Sequence, residues 1–360
     1  MRGIYIHIPF CVSKCLYCDF NSYSGMADKI PSYVSALLKE AETYRGGSAD
    51  TVYIGGGTPT FVPLEEMSRI IKGVFSLFSL DKLKEFTVEM NPRTANLSYL
   101  KMLKKLGVTR ISLGAQSFDN NMLKSLGRVH TKEDIYDAVK MCFEAGFENV
   151  SLDLMFSLPN QTMDMWKDSL AEAVKCGVTH ISCYGLKIEE GTPFFENGVK
   201  NLSDDVDREM YHFAISFLEK EGFEQYEISN FAKCGKYSMH NLKYWHCQEY
   251  YGLGAGAHSY LSAGKEHIRA ENVKPVDEYI NKITLSGNAI ANKLKLSPDD
   301  MRIERIIMGL RLTEGISARY IDKEKLKKFI SGGFMEIIGE NIKFTTAGFD
   351  VSNAILCEII

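Results

Sequence analysis

The sequence contains no long apolar run. It has no stretch of about 18 apolar residues that could cross a bilayer, and its opening residues, MRGIYIHIPF, lack the apolar core of a secretory signal. We therefore expect a soluble protein of the cytoplasm. A peripheral contact with a membrane surface stays open.

The sequence also lacks an excess of basic residues. The chain has 360 residues, with 42 Lys and Arg against 46 Asp and Glu, and a formal net charge of -4 at pH 7. Without a basic patch nothing in the composition attracts a phosphate backbone, so we do not expect nucleic acid as a partner. The hydrophobic share of 45% is that of a globular protein, and the length allows one large and one smaller domain.

The sequence also gives no sign of a disulfide framework. The nine cysteines are an odd and dispersed set, which favours reduced thiols over paired ones. Three of them nevertheless lie within eight positions, in the segment HIPFCVSKCLYCDF: Cys11, Cys15 and Cys18.

Short apolar segments alternate with segments of helical spacing through the first half of the chain. The apolar segments predict buried strands at residues 3–8, 51–54, 85–90, 109–114, 149–156 and 179–185. The segments of helical spacing are residues 31–44, 64–78, 97–106, 132–145 and 163–176. Six strands that alternate with helices predict a parallel α/β barrel or partial barrel, with a doubly wound open sheet as the alternative.

The pattern changes after a predicted amphipathic helix at residues 204–221. Residues 226–296 begin with an aromatic, glycine-rich stretch that keeps neither the helical nor the strand period well. Residues 297–360 contain short helices and a strand-turn-helix pattern, which predicts a small, mainly helical domain of winged-helix type. We therefore divide the chain into a barrel at residues 1–225, a connecting region at residues 226–296 and a C-terminal domain at residues 297–360.

The spacing of the three neighbouring cysteines, C-x3-C-x2-C, indicates the kind of metal site. A structural zinc site takes four ligands, usually from two separated pairs, and no second pair is present. An iron–sulfur cube takes one thiolate per iron, so three thiolates leave one iron with an open position. The motif therefore predicts a [4Fe–4S] cluster held by Cys11, Cys15 and Cys18.

Polar and glycine residues follow the predicted strands, where parallel barrels carry their chemistry. Each one alone is explained as well by a turn, a helix cap or a loop hydrogen bond. Together they would lie on one rim of the barrel. They are the glycines of GGGTP (residues 55–59), Glu89, Gln116, Asp153 and Gly185.

These motifs closely resemble the radical S-adenosylmethionine (SAM) superfamily, and in particular its coproporphyrinogen-oxidase-like branch. The resemblance implies a partial (β/α)6 radical SAM barrel in which the open iron binds the amino and carboxylate groups of SAM. It also implies that the GGGTP turn receives the methionine amino group. The SAM-binding residues that we predict are Tyr5, Tyr17, Gly56, Gly57, Thr58, Glu89, Gln116, Arg128, Asp153 and Gly185.

Two further features distinguish members of this branch. The oxidases of the branch carry a fourth cysteine two positions after the third, where this chain has Phe20. The string MHNLKYW contains an H-N-x-x-Y-W pattern that resembles the haem-chaperone group known as HemW. Imidazole suits iron and flat aromatic rings can cover a porphyrin. The pattern residues, His240, Asn241, Tyr244 and Trp245, are therefore predicted to contact haem, although such a string is more often a packed surface.

The resemblance implies a haem chaperone that binds haem and passes it to apoproteins such as respiratory haem proteins, without catalytic residues of its own. The alternative is an enzyme, an oxygen-independent coproporphyrinogen III oxidase or another radical SAM catalyst acting on a tetrapyrrole. Phe20 and the H-N-x-x-Y-W pattern both favour the chaperone. Whether the chain forms a homodimer stays open.

Overall fold

The computed structural model describes residues 1–264 and 266–360, and its helices alternate with the strands of a parallel sheet through the first half of the chain. The strands are Arg2–Ile8 (β1), Phe10–Cys11 (β2), Tyr23–Ser24 (β3), Ala49–Gly56 (β4), Glu85–Met90 (β5), Arg110–Gln116 (β6), Asn149–Phe156 (β7), His180–Gly185 (β8), Glu224–Gln225 (β9), Asn230–Ala232 (β10), Tyr250–Leu253 (β11), His258–Ala263 (β12), Glu266–Asn272 (β13), Ile290–Leu296 (β14), Ile316–Ser317 (β15), Met335–Ile338 (β16) and Asn341–Phe344 (β17). The α-helices are Ile30–Glu42 (α1), Leu64–Leu77 (α2), Leu97–Lys105 (α3), Asn120–Ser125 (α4), Lys132–Glu144 (α5), Met163–Lys175 (α6), Pro193–Glu196 (α7), Asp204–Lys220 (α8), Met239–Trp245 (α9), Val276–Ser286 (α10), Pro298–Gly309 (α11), Lys323–Ser331 (α12), Thr346–Asp350 (α13) and Ser352–Ile359 (α14).

The predicted parallel sheet is confirmed. Strands β1, β4, β5, β6, β7 and β8 pair in that order, each parallel to the next, and each corresponds to one of the six predicted apolar segments. Helices α1, α2, α3, α5 and α6 connect them, because neighbouring parallel strands need a crossover connection. Apolar side chains of the strands and helices form one continuous core, which holds the strand ends in place.

Local sequence explains where these helices begin and end. Thr131 caps α5 in a reciprocal capping box with Asp134, and Asn96 accepts a hydrogen bond from the third residue of α3. Gly107 and Gly146 follow α3 and α5 with φ of 97° and 88°, a conformation that glycine adopts without strain. Each of these helices therefore ends at a glycine-containing turn.

The middle of the chain extends the same sheet at both edges. Strand β10 pairs antiparallel with β8, whereas β11 pairs in parallel with β1 and continues into the antiparallel strands β12, β13 and β14. The stretch that keeps no clear period in the sequence thus contains regular strands and the short helix α9. The division into three units at residues 225 and 296 stays a prediction.

The last segment has a hydrophobic core of its own. Helices α11, α12 and α14 pack around a three-stranded sheet in the order β15-β17-β16, and the enclosed side chains include Ile306, Phe329 and Ile342. Several ion pairs connect this segment with the rest of the chain, among them Arg208 with Asp350 at 2.9 Å, Arg269 with Glu304 at 2.6 Å and Arg311 with Glu227 at 3.3 Å.

Among the helices that the structure describes, none is both long and apolar enough to cross a bilayer.

Candidate functional site

The cysteine loop follows directly from β1 and lies at the carboxyl end of the parallel strands. Cys11 ends β2, and the turn that contains the other two cysteines is closed by a hydrogen bond from the Cys18 backbone N–H to the Cys15 carbonyl oxygen at 3.2 Å. The Leu16 N–H donates to the Leu126 carbonyl oxygen at 3.1 Å and fixes the loop to the barrel. All three thiols are free, so each sulfur is available as a ligand.

Each of the three sulfurs has a polar neighbour. The Thr58 hydroxyl donates to Cys11 Sγ at 3.6 Å, Arg128 Nη1 lies 3.4 Å from Cys15 Sγ, and Ser22 Oγ lies 3.9 Å from Cys18 Sγ. Burial raises the pKa of the Cys11 and Cys18 thiols, and these neighbours act against that rise. Donors to the sulfurs and a nearby guanidinium favour thiolates, the form that ligates iron.

The three sulfurs suit a cluster better than a single ion. Among the residues that the structure describes, no three His, Cys, Asp or Glu side chains converge closely enough to hold one metal ion. A cube does not require such convergence, because each thiolate binds a different iron. The donor set therefore fits the predicted [4Fe–4S] cluster.

The glycine turn after β4 packs against the cysteine loop. The Gly57 and Thr58 N–H groups donate to the carbonyl oxygens of Ile8 and Phe10, each at 2.8 Å. A Cβ atom added to Gly57 would lie 2.8 Å from the Phe10 carbonyl oxygen and 2.9 Å from Cys11 Sγ. The turn thus requires glycine at this position because the Phe10 carbonyl oxygen and the sulfur of the first cysteine lie directly against it.

Glu89, near the end of β5, connects the glycine turn with the interior of the barrel. It accepts hydrogen bonds from the Tyr53 hydroxyl at 2.7 Å and from the Gly56 N–H at 3.0 Å. Burial, the largest influence, raises the pKa of this carboxyl to about 7, and the Tyr53 hydroxyl acts in the opposite direction. Glu89 therefore changes its charge close to neutral pH.

Asp153 on β7 faces the same interior. Its carboxylate oxygens lie 3.3 and 3.4 Å from the Ser112 hydroxyl. Burial raises its pKa, while Ser182, Arg110 and Ser112 act in the opposite direction. Arg110 is only 2% exposed, and its Nε has no hydrogen-bond partner within the described part of the chain. A buried donor of this kind, on the wall of a cavity, favours a polar ligand there.

Arg128 joins the cysteine loop with two strands. Its Nη2 donates to Asn91 Oδ1 at 2.7 Å and to the Gly114 carbonyl oxygen at 2.6 Å, while Nη1 faces Cys15. Gln116 follows at a bulge of β6 and has a φ of 68°. Non-glycine residues in this conformation are uncommon and are concentrated at functional sites.

One cavity of about 380 Å³ brings most of the predicted site residues together. Those on its wall are Cys11, Cys15, Tyr17, Cys18, Gly56, Gly57, Thr58, Glu89, Gln116, Arg128, Asp153, Gly185 and Asn241. Four predicted residues lie elsewhere: Tyr5, His240, Tyr244 and Trp245. The volume is in the range of small-molecule sites, and the assignment of SAM contacts to individual residues stays a prediction.

The cavity wall also includes residues that were not predicted from the sequence, among them Tyr53, Arg110, Ser112 and Ser182. Arg110, Ser112 and Gly114 are two positions apart along β6 and therefore share the face that lines the cavity, whereas the bulge between Gly114 and Gln116 interrupts this period. That period-two pattern is the signal that would have found Ser112. Arg110, four positions before Gly114 on the same strand, follows from the same rule.

The H-N-x-x-Y-W pattern forms α9, whose first N–H groups are bound by the carboxylate of Glu85 at 2.9 and 3.1 Å. His240 on this helix is fully buried. Its Nδ1 pairs with the Thr51 hydroxyl and its Nε2 with the Tyr244 hydroxyl, both at 2.9 Å. Burial lowers the pKa of His240 to about 3. Iron could bind this histidine only after one of the two hydrogen bonds is broken, so the predicted haem contact stays untested.

A second cavity of about 340 Å³ adjoins the first. Phe20, Gly56 and Glu89 border both cavities, and the aromatic side chains of Tyr5, Tyr244 and Tyr250 line the second one. Tyr5 and Tyr244 thus lie next to the predicted SAM site without contacting the main cavity. Trp245 faces the C-terminal segment, where the Arg311 guanidinium lies 4.3 Å from its ring centre.

Comparison with known proteins places this geometry in a family. The family model for the radical SAM superfamily matches residues 5–173. The chain is 38% identical to the heme chaperone HemW of Bacillus subtilis over 94% of this chain and 90% of that protein. It is 36% identical to the heme chaperone HemW of Lactococcus lactis over 95% and 88% of the two chains. This chain belongs to the HemW family of the radical SAM superfamily.

The structure of coproporphyrinogen III oxidase HemN from Escherichia coli has the same fold. It superposes with a TM-score of 0.86 and covers 99% of this chain and 89% of that one, at 22% identity. This chain therefore has the HemN fold. A [4Fe–4S] cluster and SAM are the cofactors that membership in the radical SAM superfamily implies, and the three thiols on the cavity wall fit the cluster.

Proposed function

We propose that this protein is a haem chaperone: it holds a [4Fe–4S] cluster and SAM, binds haem, and transfers the haem to apoproteins. The observation that carries the proposal is the identity with two HemW heme chaperones over nearly the whole of both chains. The cavity supports it, since three free thiols, a glycine turn and a buried guanidinium line one space, and the Nε of that guanidinium has no hydrogen-bond partner among the described residues.

The chain's own residues would hold and tune the cofactors. Cys11, Cys15 and Cys18 would ligate three irons, and the cluster would supply an iron with an open position for SAM. Thr58 and Arg128 donate toward two of the sulfurs and would adjust the cluster potential. Glu89 and Asp153 on the cavity wall would accept hydrogen bonds from the ligand.

The second candidate is an oxygen-independent coproporphyrinogen III oxidase, and the shared HemN fold is the observation that favours it. Phe20 weighs against it. This residue takes the position of the fourth cysteine of the oxidases, and its side chain is 64% exposed at the border of both cavities. A hydrocarbon ring there supplies neither a thiolate nor a proton donor.

An anaerobic reconstitution separates the two functions. Protein reconstituted with iron and sulfide should take up SAM and then haem, each followed by its absorbance spectrum, and should leave coproporphyrinogen III unchanged. Formation of protoporphyrinogen IX at many turnovers per protein would support the oxidase instead. Failure to bind haem would contradict the chaperone.

The acceptors and the setting complete the proposal. We propose respiratory haem proteins as acceptors, with the chaperone working in the cytoplasm and contacting the membrane peripherally. Sedimentation would distinguish a homodimer from a monomer. Nine free cysteines agree with a reducing compartment. Transfer of bound haem to an apo respiratory protein, followed as a shift of the absorbance band, tests the acceptor class.

A further inference from the structure

A closed ring of four hydrogen bonds connects the end of the cysteine loop with a turn of the connecting region. His7 Nε2 donates to the Asn21 carbonyl oxygen at 2.8 Å, and Asn21 Nδ2 donates to the Ala255 carbonyl oxygen at 3.0 Å. The Ala255 N–H donates to the Tyr33 hydroxyl at 2.9 Å, and this hydroxyl donates to the His7 carbonyl oxygen at 2.7 Å. The ring thus joins β1, the segment after Cys18, the turn between β11 and β12, and helix α1.

His7 has a single tautomer in this ring. A carbonyl oxygen only accepts, so Nε2 carries the proton, and Nδ1 then accepts from the Tyr5 hydroxyl at 2.9 Å. Burial lowers the pKa of His7, which favours the neutral imidazole. Both ring nitrogens are therefore in use, and the histidine holds the Asn21 backbone in one position.

The side chain of Asn21 is also fully engaged. Its Nδ2 donates to the Lys274 carbonyl oxygen at 3.0 Å as well as to Ala255, and its Oδ1 accepts from the Tyr23 hydroxyl at 2.9 Å. Two donors and one acceptor of the amide thus have partners, which fixes its orientation. A side chain without these donors would leave two backbone carbonyl oxygens without their partner.

The turn that receives Asn21 is itself anchored to α1. The buried Glu40 accepts hydrogen bonds from the Gly254 N–H at 2.8 Å, from Asn272 Nδ2 at 2.6 Å and from the Tyr279 hydroxyl at 2.6 Å. The Gly256 N–H donates to the carbonyl oxygen after Asn272, that of Val273, at 2.9 Å. Since these groups belong to a hydrogen-bonded interior, the turn is a firm support for the Asn21 amide.

The segment that Asn21 holds acts on the sulfur of Cys18. Burial raises the pKa of the Cys18 thiol, whereas hydrogen bonds from the Phe20 backbone and the Ser22 hydroxyl act in the opposite direction. Ser22 Oγ lies 3.9 Å from the sulfur. Phe20 and Ser22 are the two chain neighbours of Asn21, so a displacement of Asn21 moves both groups. Hydrogen bonds to a ligating sulfur tune the potential of an iron–sulfur cluster.

We propose that Asn21 is a positioning residue of the cluster site, through which the turn at residues 254–256 fixes Cys18 and the donors to its sulfur. The inference rests on the proposed function, because it concerns the same cluster. It adds that the connecting region supports the cluster, although the three cysteines all lie near the start of the chain. The ring closes only when both parts of the chain contribute to it.

Gly256 allows a test that leaves the cysteine loop unchanged. A Cβ atom added there would lie 2.6 Å from Asn21 Nδ2, so Gly256→Ala must displace the amide. Gly287→Ala is the matched control. Both glycines have a φ of 72°, so alanine is strained in the same way at each, but a Cβ atom at Gly287 meets no described atom within 4 Å. The pair separates displacement of Asn21 from backbone strain.

The full chain of each variant is reconstituted anaerobically with iron and sulfide. We expect Gly256→Ala to release iron to a chelator about ten-fold faster than the unaltered protein, the scale on which groups that support metal ligands affect a metal site. Its cluster midpoint potential should fall, because fewer hydrogen bonds then stabilise the more negative reduced cluster. A loss of stability alone would not move that potential. Gly287→Ala should match the unaltered protein in both measurements.

Asn21→Leu is a second variant, which decides the question if Gly256→Ala does not fold. Leucine has a similar shape but no donor, so the same two changes are expected, whereas Asn281→Leu, at an exposed position of α10, should show neither. Iron release and a potential equal to those of the unaltered protein in either folded variant would overturn the inference. Equal changes in Gly256→Ala and Gly287→Ala would assign the effect to strain and overturn it as well. Failure of the unaltered protein to assemble a cluster would instead contradict the proposed function.

Discussion

Glu89 is a carboxyl group buried inside the barrel, where the ionised form is disfavoured. The carboxyl is held inside the barrel by the Tyr53 hydroxyl and the Gly56 N–H, yet its pKa is raised to about 7 because burial disfavours the ionised form. A carboxyl with a raised pKa binds a proton in the folded protein at a pH at which the unfolded chain has lost it. Stability therefore falls as the pH rises from the ordinary carboxyl value to about 7, and is level above that.

We predict that Glu89→Gln removes this pH dependence. At pH 8 the variant should be more stable than the unaltered protein by about 2 kcal/mol relative to the difference at pH 5, since the amide cannot ionise. Urea unfolding of the cluster-free protein at both pH values measures the difference. Glu42→Gln, at an exposed ion pair with Arg45, is the control and should show little change between the two pH values. An unchanged pH profile in Glu89→Gln would show that Glu89 is ionised well below pH 7.

Cys15 is the cysteine whose sulfur faces a guanidinium. We predict that Cys15→Ala abolishes the brown colour of the reconstituted protein, because two thiolates do not hold the cube. Iron and sulfide analysis after reconstitution measures the loss. Cys357→Ala removes an exposed cysteine on α14 and should leave the iron content unchanged. Full iron content in Cys15→Ala would reject the three-thiolate assignment.

Single residues with unusual chemistry can be predicted from the sequence. Residues of common types that reach the site only because of the fold cannot. Cysteines and consecutive glycines are conspicuous in any chain, and their positions after predicted strands are enough to predict that they lie on the barrel rim. Arg110 is an ordinary residue in the sequence, and only the pairing of β5, β6 and β7 brings it close to Asp153. His240 shows the converse, because nothing in the sequence reveals that Thr51 and Tyr244 engage both of its ring nitrogens.

The glycine turn and the cysteine loop act as one element. The backbone of each packs on the other so closely that a methyl group on Gly57 would meet the Phe10 carbonyl oxygen and Cys11 Sγ. We predict that Gly57→Ala displaces the first cysteine and lowers the iron content after reconstitution, while the free energy of unfolding falls by about 1–3 kcal/mol from overpacking. Iron analysis and urea unfolding measure the two effects.

Gly73→Ala is the control for that change. Gly73 lies inside α2, and an added methyl group would meet the end of the flexible Leu38 side chain instead of backbone. We expect normal iron content in this variant. If Gly57→Ala also reconstitutes normally, the turn does not position the cysteine loop.

Helix α9 is the second element that requires a test, because its histidine is part of the hydrogen-bonded interior. His240→Ala leaves the hydroxyls of Thr51 and Tyr244 without their partner and creates a cavity. We predict a loss of about 2–4 kcal/mol in the free energy of unfolding. Urea unfolding measures it, with His246→Ala, an exposed residue just beyond the helix, as control. A variant as stable as the unaltered protein would show that the two hydrogen bonds contribute little.

Elements with a clear period could be predicted from the sequence almost to the residue. The strand at residues 85–90 and the strand at residues 149–156 are both present with the predicted bounds. Helix α9 and strand β11 could not be predicted in this way, because aromatic contacts between residues distant from the local pattern hold them in place. The Tyr244 and Tyr250 rings meet edge to face at 4.7 Å between centres, a contact that the local pattern does not encode.

The whole molecule combines a sheet that continues through the predicted connecting region with a C-terminal segment around its own core. The fold class followed from the alternation of strands and helices, because a parallel sheet needs a crossover for each strand. The added strands β11 to β14 did not follow, since nothing local indicates that β11 returns to the edge beside β1. The predicted barrel and the predicted connecting region therefore form one continuous sheet, although they are separate regions in the sequence.

Arg311 connects these parts. Its guanidinium pairs with Glu227, which is fully buried, and lies over the ring of Trp245 at the end of α9. Burial raises the pKa of Glu227, and Arg311 is the largest influence in the opposite direction. The arginine therefore favours the ionised form of a buried carboxyl where the C-terminal segment meets the barrel.

We predict that Arg311→Ala destabilises the protein by about 3 kcal/mol at pH 8, because it leaves a buried carboxylate without its cation. The loss should shrink as the pH falls, since Glu227 then takes up a proton and no longer requires a partner. Urea unfolding at pH 8 and pH 5 measures this dependence. Lys327→Ala removes an exposed cation from a surface pair with Glu324 and should cost less than about 1 kcal/mol at either pH. An Arg311→Ala effect of equal size at both pH values would show that the arginine acts by packing on Trp245 and not by neutralising Glu227.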